Sequence, residues 1–180
     1  GMAMLGYASD NDDCLPPVKA QYGSVGTNWT SLISPYADAA KDSNGDGNLG
    51  WGEVRKTSVF KGCPLFRPAS NDPQLGYGMQ VFLLDGAWSG WCNSPQGNGS
   101  PYYGSKGVTD FRLAAITWPS QRLLAAEVSY EFRLWGAGSM SYRHHRKSRA
   151  STLFCDFHVG SLTRTQATLA TSAPQNLNLK

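Results

Sequence analysis

The apolar residues at the start of the chain repeat at helical spacing. Met4, Leu5 and Ala8 share one side of a helix that runs to about Asp10. Residues 14–17, Cys-Leu-Pro-Pro, end it, because proline cannot continue a helix. No capping residue precedes the first turn, so we expect the native helix to continue upstream of Gly1.

A second helical pattern follows at residues 27–33. Thr27 is the expected N-cap, and Trp29, Leu32 and Ile33 fall on one face. A third short helix is expected from Ser34, as its N-cap, to Lys41, with proline at the first helical position.

The later half of the chain alternates between apolar and polar residues in short runs separated by turn-forming residues. This pattern predicts strands. The expected strands are Gly76–Leu84, Phe111–Thr117, Gln121–Val128, Ser139–His145, and Ser151–Thr163 with a turn near Phe157. Helices first and antiparallel strands later indicate an α+β fold, and the length favours one domain over residues 1–180.

The composition narrows the class of protein. Charged residues are 16% and aromatic residues 12%, with 20 glycines. Low charge with abundant polar and aromatic residues is typical of an exported protein, and the net charge of +3 is too small and scattered to indicate nucleic-acid binding. The basic cluster Arg143 to Arg149 is expected to form a solvated hairpin turn.

Residues Asp42 to Glu53 have the spacing of an EF-hand calcium loop. The expected ligands are Asp42, Asn44, Asp46, the backbone carbonyl of Asn48, and Glu53, which closes the loop with both carboxylate oxygens. Calcium prefers six to eight oxygen ligands, and this order of side chains supplies them. One loop with a short exiting helix indicates a structural calcium site rather than a sensor.

Residues 85–107 form a long segment rich in Gly, Ser, Asn and Pro. Segments of this length are usually functional or mobile. It carries four aromatic residues, Trp88, Trp91, Tyr102 and Tyr103. Exposed rings of this kind stack on sugar faces, so a carbohydrate-binding module is the alternative function. The competing interpretation is a small satellite core that folds the segment onto the domain.

The four cysteines are Cys14, Cys63, Cys92 and Cys155. They allow three pairings if all are bridged, and none forms a CxxC pair. Cys63 and Cys92 lie in irregular Gly/Pro-rich sequence, where a cross-link would restrain the chain most, so they are the preferred pair. Cys155 lies in an apolar run, where a buried free thiol is an equally good account.

Three segments resemble the prepilin-type H-x9-D-G (DUF1559-like) family of pilin-like proteins. These are AMLGYASDNDDCLPP, VFKGCP and SYRHHRKSRASTLFCDFHVGSL. The last is similar to that family's C-terminal hairpin, with Arg149-Ala150 as its arginine-alanine pair. TWPSQRLLAAEV also resembles a strand of the family. The chain departs from the family motif in two ways. Ten residues, not nine, lie between His145 and Asp156, and Phe157 stands in place of the motif glycine.

The resemblance implies a type IV pilin-like or type II secretion pseudopilin-like subunit without enzymatic activity. Such proteins carry an upstream apolar helix in the bacterial inner membrane, place the globular domain outside the cytoplasm, and assemble with other pilin-like subunits through that helix. It also implies a pilin-like fold, with the first helix packed on an antiparallel sheet.

The hairpin residues His144, His145, Asp156 and His158 raise the question of a second metal site or an acid/base group. Alternation places Phe154, Asp156 and His158 on one face, and Leu153, Cys155 and Phe157 on the other. A histidine at a hairpin end usually bonds backbone or solvent. No catalytic residues are therefore expected.

Overall fold

The structure is a computed structural model of the 180-residue chain. It describes residues 1–16, 19–22, 25–37, 76–80, 112–128, 133–134 and 136–172. Within these ranges the fold has three α-helices and seven strands. The helices are α1 (Met2–Asp10), α2 (Trp29–Ile33) and α3 (Arg164–Ser172). Of these described helices, none has the length and apolar character to cross a membrane.

The strands form two separate sheets. They are β1 (Lys19–Tyr22), β2 (Val25–Asn28), β3 (Tyr77–Gln80), β4 (Leu123–Glu127), β5 (Arg133–Leu134), β6 (Arg149–Phe154) and β7 (Val159–Thr163). β1 and β2 pair as an antiparallel hairpin. The other five lie in the order β5-β3-β4-β6-β7, with β3, β4, β6 and β7 antiparallel and the two-residue β5 parallel to β3. The fold is therefore α+β.

One face of the larger sheet is covered by α1 and α2. Met4 of α1 and Trp29 and Ile33 of α2 share a buried apolar cluster with Met79 of β3 and Leu124 of β4. Gly6 of α1 allows a close approach by Tyr36, since a β-carbon there would lie 2.8 Å from the ring. Burial of the apolar sides of two short helices on the sheet supplies much of the driving force for this half of the fold.

The opposite face is covered by α3. Ala167 and Ala170 are fully buried against Leu123, Phe154 and Leu162 of the sheet. Small alanine side chains let the helix backbone lie close to the strands. The sheet is thus the middle of three layers, which explains why every residue of β4 is buried.

β4 contains an irregularity that adjusts which side chains face each layer. The pairing with β6 shifts register between Leu123 and Ala125, where the bulge adds one residue. Leu123 therefore joins the α3 layer, while Leu124 joins the α1 layer.

Several predicted elements are confirmed. α1 ends at Asp10, β4 lies within Gln121–Val128, and β6 and β7 occupy Ser151–Thr163 with a turn at residues 155–158. The alternation about this turn is also confirmed, because Cys155 and the partly buried Leu153 and Phe157 contact the α1 layer.

Two predicted strands are wrong. In the first, the described residues 112–117 contain a 3₁₀ turn at Leu113–Ala115, closed by the amide of Ile116 donating to the carbonyl of Leu113 at 3.1 Å. A short continuous apolar run fits a 3₁₀ turn as well as a buried strand, and alanines are depleted in strands. Residues 139–145 form only isolated bridges, at Met140 and His144, because a 3₁₀ turn at Ala137–Ser139 precedes them.

Three helix assignments also need correction. Thr27 lies in β2 and does not cap α2. Ser34 begins a 3₁₀ helix, Ser34–Ala37, and its hydroxyl donates backwards to the Thr30 carbonyl at 2.6 Å instead of capping. Leu5 is 44% exposed, so the buried side of α1 is formed by Met4 and Ala8.

Candidate functional site

Most of the predicted site residues lie outside the described ranges. These are the calcium ligands Asp42, Asn44, Asp46, Asn48 and Glu53, the aromatic residues Trp88, Trp91, Tyr102 and Tyr103, and the cysteines Cys63 and Cys92. The candidate site is therefore described at the C-terminal hairpin and at the strand beside it.

The two described cysteines lie in different surroundings, and Cys155 is a free thiol. Cys14 is partly exposed, and Cys155 is buried in the α1 layer. Burial raises the pKa of the Cys155 thiol to about 12, with the nearby Arg122 opposing that shift and Asp156 adding to it. A thiol of this pKa is not a nucleophile at neutral pH. Cys155 is therefore a packing residue, one of the two interpretations that the sequence left open.

The centre of the basic cluster forms an exposed turn, whereas Arg143 is largely buried, contrary to the prediction of a fully solvated cluster. Residues 145–148 are exposed and connect His144 to Arg149. These two residues form a β-bridge, in which their backbone amide and carbonyl groups exchange hydrogen bonds of 3.0 and 3.1 Å. His145, Arg146 and Lys147 have φ values of +45°, +57° and +67°, a left-handed conformation that L-residues rarely adopt. We call residues 145–148 the basic turn.

The turn between β6 and β7 contains one residue, Phe157, in a backbone conformation that glycine favours. Phe157 has a φ of +69°. The Phe157 amide donates to the Phe154 carbonyl at 2.9 Å, and the Phe154 amide donates to the His158 carbonyl at 3.0 Å. This is a three-residue hairpin loop ending in a left-handed residue, a geometry usually completed by glycine. Phe157 therefore holds a backbone conformation that glycine adopts without strain.

His158 and Asp156 form a local pair on this turn. Nδ1 of His158 lies within hydrogen-bond distance of the Asp156 carboxylate, and the imidazole stacks on Phe154 with ring centroids 4.2 Å apart. Both side chains are partly exposed. His144 is not part of this pair, since its ring contacts a different acid on β4. In the described ranges, no group of three His, Cys, Asp or Glu side chains is placed to hold a metal.

That acid is Glu127, the one fully buried carboxylate among the described residues. Its Oε2 accepts the Ser151 backbone amide at 2.9 Å, and His144 Nε2 lies 3.1 Å from the carboxylate oxygens. Nη1 of Arg143 lies 3.9 Å away. The Glu127 carbonyl also accepts the Ser141 amide at 2.8 Å. Glu127 thus joins β4, β6 and the segment before the basic turn.

The arrangement is suited to holding the hairpin in place. A buried carboxylate is stable only when its oxygens are hydrogen-bonded and its charge is compensated, and Ser151, His144 and Arg143 meet both needs. This role of Glu127 is not among the predictions made from the sequence. The available signal was a single glutamate in the otherwise apolar run 123–128, which indicates a buried acid in need of partners.

A separate apolar cavity of about 240 Å³ lies between the helical layer and the sheet. Its lining includes Gly1 and Ala3 of α1, Trp29 of α2, and Leu153 and Val159 of the hairpin. Glu127 and His144 do not line it. The buried carboxylate and this cavity are therefore distinct features.

Comparison with known proteins gives no relative for this chain. No family model matches it, and neither a curated protein nor a solved structure matches it significantly.

Proposed function

We propose that the chain is a non-enzymatic structural subunit of a pilus-like or type II secretion-like assembly, stabilised by one calcium ion. Its globular domain lies outside the cytoplasm and is anchored in the bacterial inner membrane through a helix upstream of Gly1. Its partners are other pilin-like subunits. The proposal rests on the resemblance of the N-terminal segment, the VFKGCP segment and the C-terminal hairpin to the H-x9-D-G family.

The observation that carries the proposal is the β6–β7 hairpin, residues 149–163, together with α1. α1 packs through Met4 against the antiparallel sheet, in the arrangement expected of a pilin-like helix. The position of the motif glycine has a left-handed φ at Phe157 although the glycine is replaced. A conformation retained without its usual residue supports the alignment of this hairpin with the family motif.

The chemistry of the described residues is consistent with a structural role. Glu127 is enclosed by backbone and side-chain donors, and burial disfavours ionisation of the Cys155 thiol. Both groups contribute to packing and to hairpin placement. The calcium site is proposed from the residue pattern of Asp42 to Glu53 alone.

The decisive experiment is to determine the native gene sequence upstream of residue 1. We expect a short basic leader followed by about 20 apolar residues, the length needed to cross a bilayer as a helix. Membrane fractionation of the full-length protein in its native cell should then place it in the inner-membrane fraction. A gene with a conventional cleaved signal peptide and no retained apolar helix would refute the anchored subunit.

A further inference from the structure

The apolar cavity between the helical layer and the sheet results from small side chains on its walls. Ala3 of α1, Ala37 of the 3₁₀ helix and Ala125 of β4 all line it. A larger apolar side chain at any of these positions would extend into the space. Protein interiors are otherwise close-packed, so an apolar molecule in the cavity gains contacts with every wall. Such a molecule therefore stabilises the folded chain.

The cavity is elongated across the sheet. Its lining includes one residue from each of four adjacent strands, namely Tyr77 on β3, Ala125 on β4, Leu153 on β6 and Val159 on β7. Ala125 is the direct cross-strand partner of Leu153, which is the partner of Val159. Because neighbouring strands are about 4.8 Å apart, the four strands extend over roughly 14 Å. A volume of about 240 Å³ over this length describes a narrow slot.

The slot has a mouth at the β7 side of the sheet. Val159 is 71% exposed, and Gly1 is also exposed. A β-carbon at Gly1 would lie 3.7 Å from Cδ1 of Leu153, so the start of α1 borders the mouth. Deeper in the slot, Trp29 and Ile33 of α2 are buried. A ligand that enters here can keep a polar group in solvent while its apolar part reaches these buried residues.

The size of the cavity limits the length of this apolar part. A cavity of about 150 Å³ holds the six carbons of benzene, so about 240 Å³ holds about nine or ten carbons. We propose that the cavity binds a linear alkyl chain of this length, with its polar head group at the mouth between Gly1 and Val159. A linear chain matches the narrow outline, whereas a ring occupies only part of its length. This inference goes beyond the proposed assembly role and does not depend on it.

Calorimetric titration of the chain with 1-hexanol, 1-octanol and 1-decanol tests the proposal. We expect one alcohol to bind per chain, with a Kd that falls about fourfold for each added methylene, because each one leaves water for the apolar slot. 1-Dodecanol should bind no more tightly than 1-decanol, since its additional carbons remain outside the cavity.

Two variants fill the cavity from opposite walls. Ala125→Leu adds three carbons on the sheet side and Ala3→Leu adds three on the helix side, and each should weaken 1-octanol binding by about tenfold or more. The second variant keeps the test valid if the first does not fold. Ala114→Leu is the matched control, because Ala114 is exposed and does not line the cavity. This control should leave the Kd unchanged.

Four results would overturn the proposal. The first is the absence of saturable binding up to the solubility limit of each alcohol. The second is a Kd that is independent of chain length, or that continues to fall beyond 1-decanol. Unchanged binding by both filling variants would place the alcohol outside this cavity. Tighter binding of benzyl alcohol than of 1-octanol would show that the cavity accepts a ring rather than a linear chain.

Discussion

Nε2 of His144 lies 3.1 Å from the carboxylate of Glu127, which is 17 positions earlier in the chain. Glu127 is fully buried at the end of β4, whereas His144 is partly exposed at the base of the basic turn. The contact couples the placement of the turn to the core of the sheet. The contribution of this contact to the free energy of unfolding can be measured directly.

Glu127→Ala should be strongly destabilising. It removes the acceptor of the Ser151 amide and the compensation for Arg143, and breaking a buried charged network typically costs about 3–5 kcal/mol. His144→Ala should cost less, about 1–2 kcal/mol, because the imidazole remains partly exposed. Urea denaturation of the two variants and the double variant gives the coupling energy.

The control for that cycle is Asp13→Asn, which changes an exposed carboxylate and should leave the free energy of unfolding nearly unchanged. If the double variant is destabilised by the sum of the two single changes, Glu127 and His144 are not coupled. The network would then not hold the turn.

At position 157, a glycine variant should be more stable than an alanine variant. Both substitutions remove the ring that contacts the α1 layer, but only glycine adopts a φ of +69° without strain. Phe157→Gly should therefore be more stable than Phe157→Ala by about 1–2 kcal/mol. At Ser148, whose φ is not positive, the order should reverse, with alanine the more stable by about 0.5–1 kcal/mol. Thermal unfolding of the four variants decides the ranking.

Thr163 and Gln166 form a capping box at the start of α3. The Thr163 amide donates to Oε1 of Gln166 at 3.0 Å, and the Gln166 amide donates to the Thr163 hydroxyl at 3.3 Å. Thr163→Ala should destabilise the fold by about 1 kcal/mol, and Thr163→Ser should not. Thr168→Ala, within α3, should be neutral or stabilising because alanine favours helices.

Hydrogen exchange of the α3 amides distinguishes a local from a global effect. Loss of the cap should accelerate exchange in α3 more than in β4. Equal acceleration in both elements would show that α3 does not open separately from the sheet, contrary to this expectation.

The sequence predicted those elements whose signals are local. β4 and the β6–β7 hairpin were found because apolar runs and alternation mark them directly. α3 was missed, although Thr163 and Gln166 stand at capping-box spacing and Ala167 and Ala170 mark a buried side. These residues alone were sufficient to predict a helix after Thr163.

Other features could not be read from local patterns. The partners of Glu127 are His144 and Ser151, 17 and 24 positions away. The pairing of β4 with β6 and the backbone hydrogen bond from Ser141 to Glu127 bring them together. The 3₁₀ turn at Leu113–Ala115 was mistaken for a strand because a short apolar run fits both periods.

Calcium should stabilise the protein through the loop Asp42 to Glu53. The unfolded chain cannot hold the oxygen ligands together, so binding raises the free energy of unfolding, by about 2.7 kcal/mol when free calcium is 100 times the dissociation constant. Glu53→Gln removes one charge from the position that contributes two ligands and should abolish most of this shift. Asp13→Asn, outside the loop, should retain the full shift. The measurement is the melting temperature with calcium and with a chelator, and superimposable curves for the unsubstituted chain would refute a calcium site.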